Sequence, residues 1–87
     1  MVLDSVIIRK KGGIDLRPAG LICAEAMKYR SQIIVTVGSR TANAKSIISL
    51  IGAHLDDGDT VEIKCEGDDE KEALEALLDL FKNGLDK

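Results

Sequence analysis

Apolar and polar residues alternate with a period of two in some stretches of this 87-residue chain and with the helical period of roughly 3.6 in others. Val2–Arg9 is rich in Val and Ile and runs into Lys10-Lys11-Gly12-Gly13, which predicts a strand and a loop. Between Leu16 and Met27 the period changes. Ala19, Ile22, Cys23, Ala26 and Met27 fall at helical spacing, Pro18 sits in the first turn, and Asp15 occupies the N-cap position. Ser31–Val37 and Arg40–Ala44 predict two strands around Gly38-Ser39, a two-residue hairpin signal. Ser46 opens a short apolar helix from Ile47 to Leu55, and Asp56-Asp57-Gly58-Asp59 reads as a turn. In Thr60–Glu66, Val61, Ile63 and Cys65 alternate with Glu62, Lys64 and Glu66, a strand with one face packed and one wet. For the last helix, Asp69 and Glu72 make a capping box. Leu74, Leu77, Leu78 and Phe81 form its stripe, and Asn83-Gly84 end it. The predicted order is β-α-β-β-α-β-α, an α+β fold in two layers. A ferredoxin-like sheet is one arrangement the pattern permits.

Composition narrows this. The hydrophobic share is 45%, but Tyr29 and Phe81 are the only aromatics and there is no Trp, so the core must be aliphatic. A chain of this size makes a single domain, 1–87, burying about two-thirds of its unfolded surface. It is too short for a two-domain enzyme that closes over a substrate. No apolar run reaches the roughly 20 residues of a membrane span, and Met1–Lys11 lacks the apolar segment of a signal peptide, so a cytoplasmic protein is expected. Cys23 and Cys65 are not at metal spacing and His54 is the only histidine, which leaves no structural zinc site. Both thiols are expected to be reduced and buried. Residues 1–48 hold eight basic and three acidic side chains, whereas 66–87 hold eight acidic and three basic. The basic half suits phosphate or an acidic protein partner. Nucleic acid fits poorly, because no basic cluster is interleaved with stacking aromatics.

Two places carry candidate chemistry. Gly12-Gly13-Ile14-Asp15-Leu16-Arg17-Pro18-Ala19 delivers the chain to a helix N-terminus, where orphan N–H groups, the helix dipole and Arg17 favour an anion. Asp15 itself, a good N-cap, competes for that position. The second place is Asn43-Ala44-Lys45-Ser46-Ile47-Ile48. Ser46 is an N-cap, and a phosphate added to it would gain from the dipole, the orphan N–H groups and Lys45. Ile47, Ile48 and Ile51 are too many apolar residues for one face of so short a helix, so some are expected to be exposed as a docking surface.

These stretches make the chain resemble HPr, the histidine-containing phosphocarrier of the bacterial sugar phosphotransferase system. Gly13-Ile14-Asp15-Leu16-Arg17-Pro18-Ala19 lies on the family's motif Gly-Leu/Ile-His-Ala-Arg-Pro-Ala. Lys45-Ser46-Ile47-Ile48 lies on its regulatory-serine motif, and Glu66-Gly67 with Glu70-Lys71-Glu72-Ala73-Leu74 matches the start of its final helix. The resemblance runs nearly end to end. It implies an open-faced β-sandwich, a four-stranded antiparallel sheet with three helices on one face.

One departure bears on function: Asp15 stands where the family carries its phospho-accepting histidine. The Crh-like members also lack that histidine, and they share the Asn-Ala-Lys-Ser-Ile run of Asn43–Ile47. Met27, where the family often has a basic residue, and Ile48, in place of its Met, are further departures. His54 is expected at the end of the second helix, exposed or C-capping, and no substitute for the missing histidine. The resemblance implies a non-enzymatic regulator of carbon catabolite control, phosphorylated on Ser46 by HPr kinase/phosphorylase and then bound by catabolite control protein A. Gly20, Ile47, Ile48 and Ile51 are the partner-binding residues it implies. The alternative is a phosphocarrier that takes a phosphoryl group from Enzyme I on Asp15, beside Arg17, as an acyl phosphate and passes it to sugar-specific EIIA components. A third reading makes Asp15 a permanent mimic of the phosphorylated state. No cofactor, resident metal, nucleic acid or membrane is expected. Acyl-phosphate chemistry ordinarily uses Mg²⁺ held by neighbouring acidic residues, and the sequence places none close to Asp15.

Overall fold

The computed structural model of the chain describes residues 1–85. Its elements are β1 (Val2–Ile7), α1 (Leu16–Ala26), β2 (Gln32–Val37), β3 (Arg40–Asn43), α2 (Ile47–Gly52), β4 (Thr60–Glu66) and α3 (Glu70–Asn83). The strands form one antiparallel sheet in the order β1-β4-β2-β3, with α3 packed on β1 and β4, and α1 against both α2 and α3. β4 and β2 are therefore central, which removes the ferredoxin-like option, in which β1 would be central. The open-faced sandwich is the fold.

Register explains which residues make the core. Val2 pairs with Cys65 and Cys65 with Ile33; Asp4 pairs with Ile63, Ile63 with Val35, and Val35 with Ala42. Directly paired residues share a face. Val61, Ile63, Cys65, Ile33 and Val35 are accordingly buried under the helices, and Lys64, Thr41 and Asn43 line the open face. The hairpin turns at Gly38, whose φ is +59°, while Ser39 keeps negative φ, the sign pattern of a type II′ turn.

Three expectations are corrected. The second helix stops at Gly52, not Leu55. Ala53 caps it, His54 enters the left-handed region at φ +53°, and the chain turns so that Leu55 drops into the core. On α1, Pro18, Ala19, Ile22 and Ala26 are buried, but Met27 is 64% exposed and Cys23 only half-buried. Cys65 is fully buried; both cysteines are free, and burial pushes the Cys65 thiol up to about 11.

The third correction concerns Asp69. It is the N-cap residue of α3 but makes no capping hydrogen bond there, so the capping box with Glu72 does not form. Its carboxylate instead accepts from Ser31 Oγ (2.6 Å), Arg30 N and Ser31 N (both 2.9 Å), pinning the entry of β2. The Ser31 hydroxyl and these backbone donors hold its carboxyl near 2, below the ordinary 3.8. A lowered carboxyl pKa stabilises the fold above the unfolded value and loses that contribution as pH falls through the folded one. Asp69→Asn should thus lower the thermal midpoint at neutral pH, with the gap to wild type closing between about pH 4 and pH 2. A gap that stays constant over that range would contradict the assignment.

Candidate functional site

Two long-range hydrogen bonds set α1 and α2 antiparallel. Ile14 N, just before α1, donates to Leu55 O, just after α2 (2.8 Å). At the other end, Lys45 Nζ, just before α2, donates to Tyr29 O, just after α1 (2.7 Å). Asp15 and Arg17 thus lie with the end of α2, and Ser46 with the end of α1. An 11-residue helix is roughly 16 Å long, so the two candidate sites stand at opposite ends of one two-helix face.

The Asp15 corner is held by stitching between loops. Ile8 N donates to Asp59 O, Gly58 N to Ile8 O and Lys10 N to Asp57 Oδ1. Gly13 adopts φ +80°, and a Cβ there would lie 3.0 Å from Leu55 O, so the tight approach to Leu55 favours glycine. Asp15 occupies the N-cap position with extended backbone, but its exposed carboxylate makes no capping bond. The expectation that Asp15 fills the anion position itself is therefore corrected. Pro18 has no N–H and Ala19 N is bonded to Asp15 O (3.0 Å), leaving Leu16 and Arg17 N–H as the first-turn donors. Among the described residues no three His, Cys, Asp or Glu side chains are grouped so as to hold a metal ion.

Ser46 caps α2 as expected. Its Oγ accepts from Ser49 N at 3.2 Å. Around it, Asn43 N donates to Ser49 Oγ (2.9 Å), Lys45 N to Asn43 Oδ1 (2.9 Å) and Ser46 N to Asn43 O (3.0 Å). The corner is thus fixed before any modification. A phosphate on Ser46 would sit at a helix end whose N–H groups are already arranged.

Between the two corners the face is apolar and exposed. Ile48 is 84% exposed, Ile51 37%, and Ile47 half-buried against the core. Sequence reasoning overlooked Leu16, which is 69% exposed. Leu16, Gly20, Cys23 and Met27 follow at steps of four, three and four, so they run as one row beside the buried one. That second apolar row was the available signal. Gly20 is half-buried on this row, and a Cβ there would touch nothing, so α1's own packing does not require glycine. His54 is exposed at the C-terminal side of α2; its carbonyl accepts from Arg40. No helix among the described residues is long and apolar enough to cross a membrane.

This geometry can be set beside known proteins. A family model described as the PTS HPr component phosphorylation site matches residues 3–83. The chain is 38% identical over 78 residues to the HPr-like protein Crh of Halalkalibacterium halodurans, covering 90% of this chain and 93% of that protein. To the phosphocarrier protein HPr of Mycoplasma pneumoniae it is 40% identical over 73 residues, 83% of each. Among solved structures, HPr-C-His from Thermoanaerobacter tengcongensis superposes with a TM-score of 0.93 at 37% identity, over 100% of this chain and 98% of that one. Crh of Bacillus subtilis does so with a TM-score of 0.77 at 35% identity, over 94% of each chain. Agreement in sequence along nearly the whole chain, with the same sheet and helices, makes this protein a member of the HPr family of the phosphotransferase system.

Proposed function

We propose that this chain is a regulatory HPr-family protein whose modifiable residue is Ser46. The observation that carries the reading is the pairing of an intact Ser46 corner with a carboxylate, Asp15, where the family's motif has histidine. HPr kinase/phosphorylase would transfer the γ-phosphoryl group of ATP to Ser46 Oγ, with the hydroxyl proton and ADP leaving. The added charge, about −1.5 to −2, would then lie beside the exposed Ile48 and alter which partners the α1–α2 face binds. Catabolite control protein A is the partner that the likeness to Crh suggests, and in this reading the two proteins meet in the cytoplasm. Incubation with ATP and the cognate kinase should add one phosphate per chain, and Ser46→Ala should take none. That variant also loses the cap to Ser49 N, at a cost of about 1 kcal/mol, so it remains folded for the comparison. An active kinase that leaves wild-type Ser46 unmodified would remove the proposal.

A second reading has one observation in its favour. The Asp15 carboxylate is exposed and uncapped at the α1 N-terminus, beside Arg17. In this reading Enzyme I phosphorylates Asp15 as an acyl phosphate, which passes to EIIA components. It ranks below the first because an anionic acceptor repels an incoming phosphoryl group, and such chemistry ordinarily uses Mg²⁺ held by neighbouring carboxylates. A charge-mimic role for Asp15 ranks third, since one carboxylate has less charge and fewer oxygens than a phosphate.

A further inference from the structure

The ammonium of Lys45 is already in use. It is half-buried and donates 2.7 Å to the carbonyl of Tyr29 in the segment that leaves α1. α1 carries no basic residue in its own last turn, so Lys45 supplies from another element the positive charge that a helix C-terminus favours. Tyr29 is otherwise tied through Tyr29 N to Ala26 O at 3.2 Å and through its hydroxyl to Glu25 at 3.3 Å. The next two residues are fixed by Asp69, which accepts from Arg30 N and Ser31 N. The exit of α1 is thus pinned on one side by Asp69 and on the other by Lys45.

Lys45 is also the chain neighbour of Ser46. We propose that Lys45 is a shared cation: in the unmodified protein it closes the exit of α1, and a phosphoryl group on Ser46 competes for it. This deepens the regulatory reading and rests on modification of Ser46. The Tyr29 carbonyl is a neutral acceptor, whereas a phosphoseryl group presents about −1.5 to −2 charge on three oxygens. A bond between two ionised groups is the stronger kind. Cα atoms of adjacent residues lie about 3.8 Å apart, so the long lysine stem need not carry its ammonium far. Loss of the Tyr29 bond loosens the segment Met27–Tyr29, whose amides then keep only their last-turn bonds to Cys23 O, Glu25 O and Ala26 O (2.9, 3.1 and 3.2 Å). Asp69 still holds Arg30 and Ser31, so the response is confined to the end of α1. That end bears Met27, exposed at one extremity of the apolar row. The modification would therefore be read at two places on the partner-facing surface, the start of α2 and the exit of α1.

The test uses the full chain with phosphoserine incorporated at position 46 during translation, so that no kinase is involved. Amide hydrogen exchange is followed by NMR in the wild-type and Lys45→Met backgrounds, each with and without the phosphate. In the wild type, phosphoserine should speed exchange several-fold at Met27, Lys28 and Tyr29 and shift the Lys45 ammonium resonance. Unmodified Lys45→Met, which keeps the stem and loses the charge, should already show the faster exchange, and phosphoserine should add nothing there. The amides of Ile48 and Ser49 should respond to the phosphate in both backgrounds. Unchanged exchange at Met27–Tyr29 in the modified wild type, or a response that persists in Lys45→Met, would overturn the shared-cation role. A kinase that fails to label Ser46 would instead overturn the regulatory reading and leave this result standing.

Discussion

Asp15→His is expected to take up a phosphoryl group from phosphoenolpyruvate and Enzyme I, whereas the wild-type chain is expected to take none. The neutral imidazole nitrogen is a nucleophile without the negative charge that makes a carboxylate repel phosphate. The rest of the corner is in place: Gly13 in its tight turn, Pro18 buried, and the Leu16 and Arg17 N–H groups at the start of α1. The change is from no label to one phosphate per chain, held as an acid-labile phosphoramidate. Wild type and Asp15→Asn serve as comparisons. If wild type takes a hydroxylamine-sensitive label that Asp15→Asn loses, the carboxylate is an acceptor and the second reading replaces the first. If Asp15→His stays unlabelled, the corner has diverged by more than the one residue, and Leu16, which stands where the family's motif has Ala, is the first place to look.

The largest expected loss of stability is that of Phe81→Ala. Phe81 is 1% exposed and is the only Phe in a core otherwise built from aliphatic side chains. It lies on α3 with Ala73 and Leu77, the face that packs on β1 and β4. Truncating a buried Phe costs about 3–5 kcal/mol, from lost burial plus the cavity left behind. A domain of this size has about 5–15 kcal/mol in all. The thermal midpoint should fall on the order of 15–30 °C, at about 4–8 °C per kcal/mol. A loss under about 1 kcal/mol would mean that the aliphatic neighbours collapse into the space.

How far each feature could be read from the sequence follows the range of the interaction that makes it. Val61, Ile63 and Cys65 alternate with polar residues within seven positions, and β4 spans Thr60–Glu66 as expected. Ser46 caps α2 through Ser49, three residues on, and Gly38 turns a hairpin between adjacent strands. Each is a contact within a few residues, so each leaves a local mark. Asp69 shows the opposite. Its spacing to Glu72 reads as a capping box, yet its carboxylate is taken by Arg30 and Ser31, about forty positions away in the chain. Nothing near residue 69 signals that competition.

The candidate site divides in the same way. Its motifs, the family they indicate and the replacement of histidine by Asp15 are properties of the sequence itself, as is the surplus of apolar residues in Ile47–Ile51. Which of those residues face solvent, the exposure of Leu16 and Met27, and the separation of Asp15 from Ser46 were decided only by tertiary structure. The bonds from Ile14 to Leu55 and from Lys45 to Tyr29 lay α1 and α2 antiparallel, joining segments far apart in the chain. Local periodicity states which face of a helix is apolar. Only the packing of one helix against another states how much of that face remains open and which residues meet at its ends.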